Sequence, residues 1–147
     1  MKLMKQINLF FACASIFLLL GCSTFPQNVE GAERAAVLAY AEPTTDNVLN
    51  GYNSGNYAQF SENFDAVMLQ AETNAVFQQT RSQIMSKLGK YISRQTPMVV
   101  KQNNMIIVFY NARFEQEDGV TIRVVFQPDG EHKLTGLWFD SPKLRQQ

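Results

Sequence analysis

Few side chains in this sequence are of a type that does chemistry, and their spacing narrows the field further. His132 is the only imidazole, and it stands between Glu131 and Lys133, just past Pro128-Asp129-Gly130. That tripeptide is a turn signal, so the ring reads as a surface residue and not as a general base. Ser–His and Cys–His nucleophilic systems are left with this one poor candidate. The two cysteines, Cys13 and Cys22, sit near the start of the chain. With one histidine they cannot complete a Cys/His zinc cluster. No metal site and no cofactor is expected. Glu115, Glu117 and Asp118 gather at a hairpin tip, where solvation is the preferred reading over a weak calcium site. Two polar residues fall where burial is expected. Arg81 lies between Phe77 and Met85 at helical spacing, and Asp65 follows Phe64. With the Tyr110 hydroxyl they could line a ligand pocket, in which Asp65 would be the base and Tyr110 a hydrogen-bond donor. A structural ion pair or a snorkelling Arg81 is the preferred alternative.

The first 21 residues read as an address. Lys2 and Lys5 precede an apolar run from Ile7 to Leu20. It is too short to span a bilayer but suits a signal-peptide core. It ends in Leu19-Leu20-Gly21-Cys22, which resembles the lipobox of bacterial lipoproteins. The resemblance implies cleavage before Cys22 and acylation of Cys22, so that lipid membrane is one partner. Several acyl chains at ~0.8 kcal/mol per buried CH₂ anchor firmly. Ser23 stands where an aspartate would imply inner-membrane retention. The expected place is therefore the outer membrane, facing the periplasm. The mature chain keeps 11 basic residues against 13 acidic ones, a net of −2. That balance excludes a basic nucleic-acid footprint. Hydrophobic residues at 46% exclude wholesale disorder. Residues 22–31 read as a tether and 32–147 as a single domain.

The elements that must position these residues come in a plain order. Ala32 to Ala41 is expected to be helical and to stop at Pro43. Thr44 or Thr45 would cap a short helix ending at Gly55. Asn56 would cap the next, with Tyr57, Phe60, Phe64, Val67 and Met68 inward. Thr73 would cap a third, with Phe77, Ile84, Met85 and Leu88 inward. After Gly89 the apolar period changes to two. Strands are expected at 91–102, broken at Pro97 and hence at an edge, and at 105–115, 120–127 and 133–140. The fold class is therefore α+β, with N-terminal helices packed on one face of a curved four-stranded antiparallel sheet.

Two strands alternate cleanly. Ile106, Val108, Tyr110, Ala112 and Phe114 share a face, as do Val120, Ile122, Val124 and Phe126. Both sets look inward if paired residue numbers add to an even number. A three-residue loop at Glu117-Asp118-Gly119 would do this, setting Ala112 against Val124, Tyr110 against Phe126 and Arg113 against Arg123. Opposed arginines are unfavourable; two solvated side chains are the preferred outcome and a small anionic or partner site the alternative. The outer face would carry Ile107, Phe109, Arg113, Arg123 and Val125, joined by one of Trp138 and Phe139. Such a face suits an oligomer or partner interface; equally, a helix or a terminus could cover it.

Asn50-Gly51, Asn56-Tyr57, Phe60, Phe64-Asp65, Leu88-Gly89-Lys90-Tyr91, Tyr110 to Phe114 and Gly136 to Phe139 resemble a small uncharacterised envelope-protein domain family. That family is similar to the nuclear-transport-factor-2-like, cystatin-like superfamily. The resemblance implies a cone of helices and sheet whose mouth holds a small ligand and whose convex face often dimerises. The expected function is a membrane-tethered, non-enzymatic binding module for a small ligand or an envelope protein partner. A small isomerase- or cyclase-type enzyme using Asp65 and a structural homodimer are the alternatives.

Overall fold

The computed structural model describes residues 25–146, so the signal segment and the acylation expected at Cys22 lie outside the described residues. The chain runs β1 (Gln27–Asn28), α1 (Gly31–Ser54), α2 (Tyr57–Ser61), α3 (Ala66–Ala71), α4 (Asn74–Leu88), β2 (Tyr91–Arg94), β3 (Met98–Gln102), β4 (Met105–Phe114), β5 (Asp118–Phe126), β6 (Leu134–Asp140) and α5 (Pro142–Arg145). The fold is α+β, with helices on a curved, unclosed antiparallel sheet. The sheet order is β1-β3-β4-β5-β6, and β2 also pairs with β4. The sheet has six strands where the sequence suggested four. Pro97 splits the first expected strand into β2 and β3. β1 comes from the stretch read as tether: Gln27 pairs with Lys101, Val29 N–H donates to Val99 O at 2.9 Å, and Val29 is buried.

The helical expectations are corrected twice. α1 does not stop at Pro43 but runs through it for 24 residues. Val37, Ala41, Thr45, Val48, Leu49 and Tyr52 form one buried stripe on both sides of the proline. Packing of that stripe outweighs the roughly 3 kcal/mol that an interior proline costs. The helix expected after Asn56 is instead broken into α2 and α3. Asp65 N–H donates to Leu134 O and Leu134 N–H to Asn63 O, so β6 holds residues 63–65 extended. Val67, expected inward, is 73% exposed as a result.

The β4–β5 hairpin keeps the even pairing but shifts by four. Tyr110 faces Ile122, Ala112 faces Val120 and Phe109 faces Arg123. The turn is tighter than expected: Phe114 N–H donates to Glu117 O across Glu115-Gln116. Gly119 is the extra residue between the 113–118 and 112–120 pairs, in the left-handed region at φ +77. Arg113 therefore pairs with Asp118 at 3.2 Å, not with Arg123, and both partners are well exposed.

Pro43 is exposed, so Pro43→Ala restores a donor without removing packing. Urea unfolding should show about 1–2 kcal/mol of added stability: the helix-interior penalty less the freedom returned to the unfolded chain. A loss would mean that the buried stripe needs the proline itself.

Candidate functional site

The register composes the outer face of the sheet from rows that cross four strands. One row reads Met98, Phe109, Arg123, Trp138, and the next reads Val100, Ile107, Val125, Gly136. Seven of these eight positions are apolar or glycine. Met98 is 52% exposed and Trp138 47%; Phe109, Arg123, Ile107 and Val125 are half-buried. The helices lie on the other face, so among the described residues this one carries no helix. Trp138 is the aromatic that looks outward, and Phe139 turns inward to Tyr52 and Phe114. The Arg123 guanidinium lies over the Trp138 ring, 3.9 Å from its centroid. Its Nε is buried with no hydrogen-bond partner among the described residues.

The inner face is filled. Tyr52, Tyr110, Phe114 and Phe126 are fully buried among Leu49, Ile122 and Leu134. The cleft between the helices and β6, lined by Tyr52, Phe60, Phe77, Ile84 and Phe139, holds about 50 Å³. That is small against the ~300–1,000 Å³ of sites that enclose a drug-sized ligand.

The structure does not bring Asp65, Arg81 and Tyr110 together. Asp65 caps α3: Oδ1 accepts from Met68 N–H at 2.8 Å and Oδ2 from the Gln127 amide at 3.2 Å. Arg81 borders the cleft, but Nε donates to Tyr52 O at 2.6 Å and Nη2 to Asn53 O at 3.1 Å. It thereby satisfies carbonyls in the last turn of α1, where a cation is favoured. Tyr110 is buried 3.2 Å from Thr45 Oγ1, and burial pushes its hydroxyl well above the usual tyrosine range.

Sequence reasoning missed the polar cluster beside Tyr110. Arg94 comes from β2 onto the inner face, 4.9 Å from the Tyr110 ring centroid. It donates to Glu42 Oε2 at 2.7 Å, to Asp46 and to the Tyr91 hydroxyl. Burial opposes its charge, and these bonds more than offset that. The available signal was the register: Arg94 pairs with Ala112, an inward position. His132, read as a plain turn residue, stacks flat on Tyr40 at 4.0 Å. Among the described residues no His/Cys/Asp/Glu group could hold a metal, and no helix is long and apolar enough to cross a membrane.

A family model described as a protein of unknown function (DUF3887) matches residues 45–137, and the chain belongs to that family. Comparison with curated proteins and with solved structures returned no match.

Two outcomes test this geometry. Arg94→Ala should cost about 2 kcal/mol in denaturant unfolding. Removing one partner of a buried pair costs ~3–5 kcal/mol, reduced here because Glu42 and Asp46 keep 38% and 58% exposure. Tyr52, whose hydroxyl donates to Gly89 O at 3.0 Å, is pushed up to about 12, chiefly by burial. Its folded pKa exceeds the unfolded value of ~10, so its contribution is complete below pH 10 and is lost as pH rises from 10 to 12. Tyr52→Phe should start about 1 kcal/mol less stable but decline less over that window. A parallel decline would refute the assignment.

Proposed function

We propose that this member of a family of unknown function is a membrane-tethered, non-enzymatic binding module of the cell envelope. It holds an envelope protein partner on the outer face of its sheet. One observation carries the reading. The row from Met98 to Trp138, with Ile107 and Val125 beside it, stays partly open to solvent, while the interior is packed and its cleft holds about 50 Å³. Large exposed apolar patches mark interaction surfaces.

The enzyme alternative is poorly supported, because both oxygens of Asp65 already accept hydrogen bonds and Tyr110 is buried with its hydroxyl against Thr45. The nuclear-transport-factor-2-like reading is supported by the long α1 laid against a curved sheet, and fold would not carry function in any case. Acylation at Cys22 and outer-membrane location are supported by the sequence pattern alone. Only Ser23 to Pro26 would separate Cys22 from β1. Five residue steps reach at most ~17 Å, so the domain would sit close to the bilayer surface.

A photo-crosslinking phenylalanine analogue at Phe109, in the full chain in its own cells, should give one discrete protein adduct. The same analogue at Thr80, beside the cleft, should give none. Cys22→Ala should abolish acylation and cleavage together, leaving the protein with its signal segment attached and without incorporated palmitate. An adduct only from position 80, or a small molecule retained in native mass spectrometry, would replace this reading with a ligand-holding cleft.

A further inference from the structure

We infer that the partner segment seated on the outer face presents a carboxylate, an aspartate or glutamate side chain set among apolar residues, and that Arg123 stacked on Trp138 receives it. The inference rests on the binding-module reading above and names the chemistry of its partner.

Arg123 is the one charged side chain in the two rows of four. It forms no ion pair and no hydrogen bond among the described residues. Its ring contact is built in. Trp138 folds back over Gly136, where any Cβ would collide with the indole, and the guanidinium lies on the indole's face at 3.9 Å. Such stacking fixes the plane of the guanidinium and leaves its edge as the donor fork that matches a carboxylate. Nε is already buried, so the terminal Nη groups are the part a partner can reach.

A purely apolar partner on these rows would bury an uncompensated cation, which is strongly unfavourable; a counter-charge offsets it. A second copy of this chain does not supply one. On this side of the sheet Asp118 is taken by Arg113 and Asp140 by Arg145. At the hairpin tip Glu115 accepts from Lys90 N–H and Glu117 from Ser141. Two copies face to face would set arginine against arginine, with these four acids already engaged. A lipid headgroup surface fits no better. Attraction to anionic lipid needs several clustered cations, and among the described residues here Arg113 and Arg145 are paired with acids and only Arg123 is not, on a mature chain with 11 basic residues against 13 acidic.

Trp138 is the only tryptophan in the chain, so its emission reports on this site directly. Heptapeptides displayed on phage would be selected on the full-length protein in detergent micelles. Each selected acidic peptide would then be compared with its Gln or Asn counterpart by Trp138 fluorescence. The expected result is that Glu or Asp peptides bind at least tenfold tighter than their amides. Arg123→Gln should shrink that ratio below threefold, and Arg123→Lys, which keeps the charge without the fork, should fall between. The Lys variant also serves should Arg123→Gln fail to fold. Peptides that perturb Trp138 with no preference for the acid, or with a preference that survives Arg123→Gln, would overturn the carboxylate while leaving the binding module standing. Selected peptides that bind without perturbing Trp138 would sink both. A dimer in native mass spectrometry that Phe109→Asp abolishes would overturn the inference in favour of a second copy.

Discussion

The pairing of β4 with β5 sets Ile106, Val108, Tyr110 and Ala112 against Phe126, Val124, Ile122 and Val120. Both faces of the protein follow from it. Side chains alternate with period two, so a slip of one residue would turn one strand's whole apolar set to the other side. These eight residues are all at most 4% exposed. At ~1.5–3 kcal/mol for each large apolar side chain, that slip is prohibited many times over. A slip of two or four keeps the faces and is far cheaper to contemplate. The turn decides among those, through the tight loop at Glu115-Gln116 and the left-handed Gly119.

Once the inner face is fixed, it constrains the helix that covers it. α1 crosses the sheet as one rod because its buried positions recur on both sides of Pro43. The same crossing puts Glu42, Thr45 and Asp46 over Tyr110, at the end of the sheet where β2 contributes Arg94. One oxygen of Glu42 and Nε of Arg94 are buried without hydrogen-bond partners among the described residues. A buried pair of this kind is weak evidence for added stability. Its firmer consequence is positional, since it ties α1 to the strand before Pro97 by specific hydrogen bonds where apolar contact alone would permit sliding.

The sequence made much of this legible, for identifiable reasons. The inward sets of β4 and β5 and the inward Phe77 and Leu88 rest on periodicity, which burial enforces. Caps at Asn56 and Thr73 rest on local hydrogen bonds and appear as expected. What was not legible depended on non-local partners. Nothing local says that α1 survives Pro43, that β6 pulls residues 63–65 out of helix, or that Gln27–Asn28 finds an edge. The shift of the hairpin by four separates Arg113 from Arg123, so the two expected like charges became an ordinary surface ion pair and a lone stacked cation. Asp65 and Arg81 stand out in the sequence for their place, and helix ends consume both.

The lone cation is the harder fact to account for by stability alone. A cation–π contact at a partly exposed site contributes ~0.5–1 kcal/mol. Leaving a donor buried and unbonded costs ~1–3 kcal/mol, and among the described residues Arg123 Nε is such a donor. The free protein thus gains little or nothing from an arginine here, where a threonine or valine would suit the strand and continue the apolar rows. The balance changes only when something covers the face. A covered, neutralised arginine at the centre of an apolar patch, against an aromatic ring, is the composition found where interfaces concentrate their binding energy. The residue that is hardest to justify in the isolated fold is therefore the one that the outer face, as a docking surface, best explains.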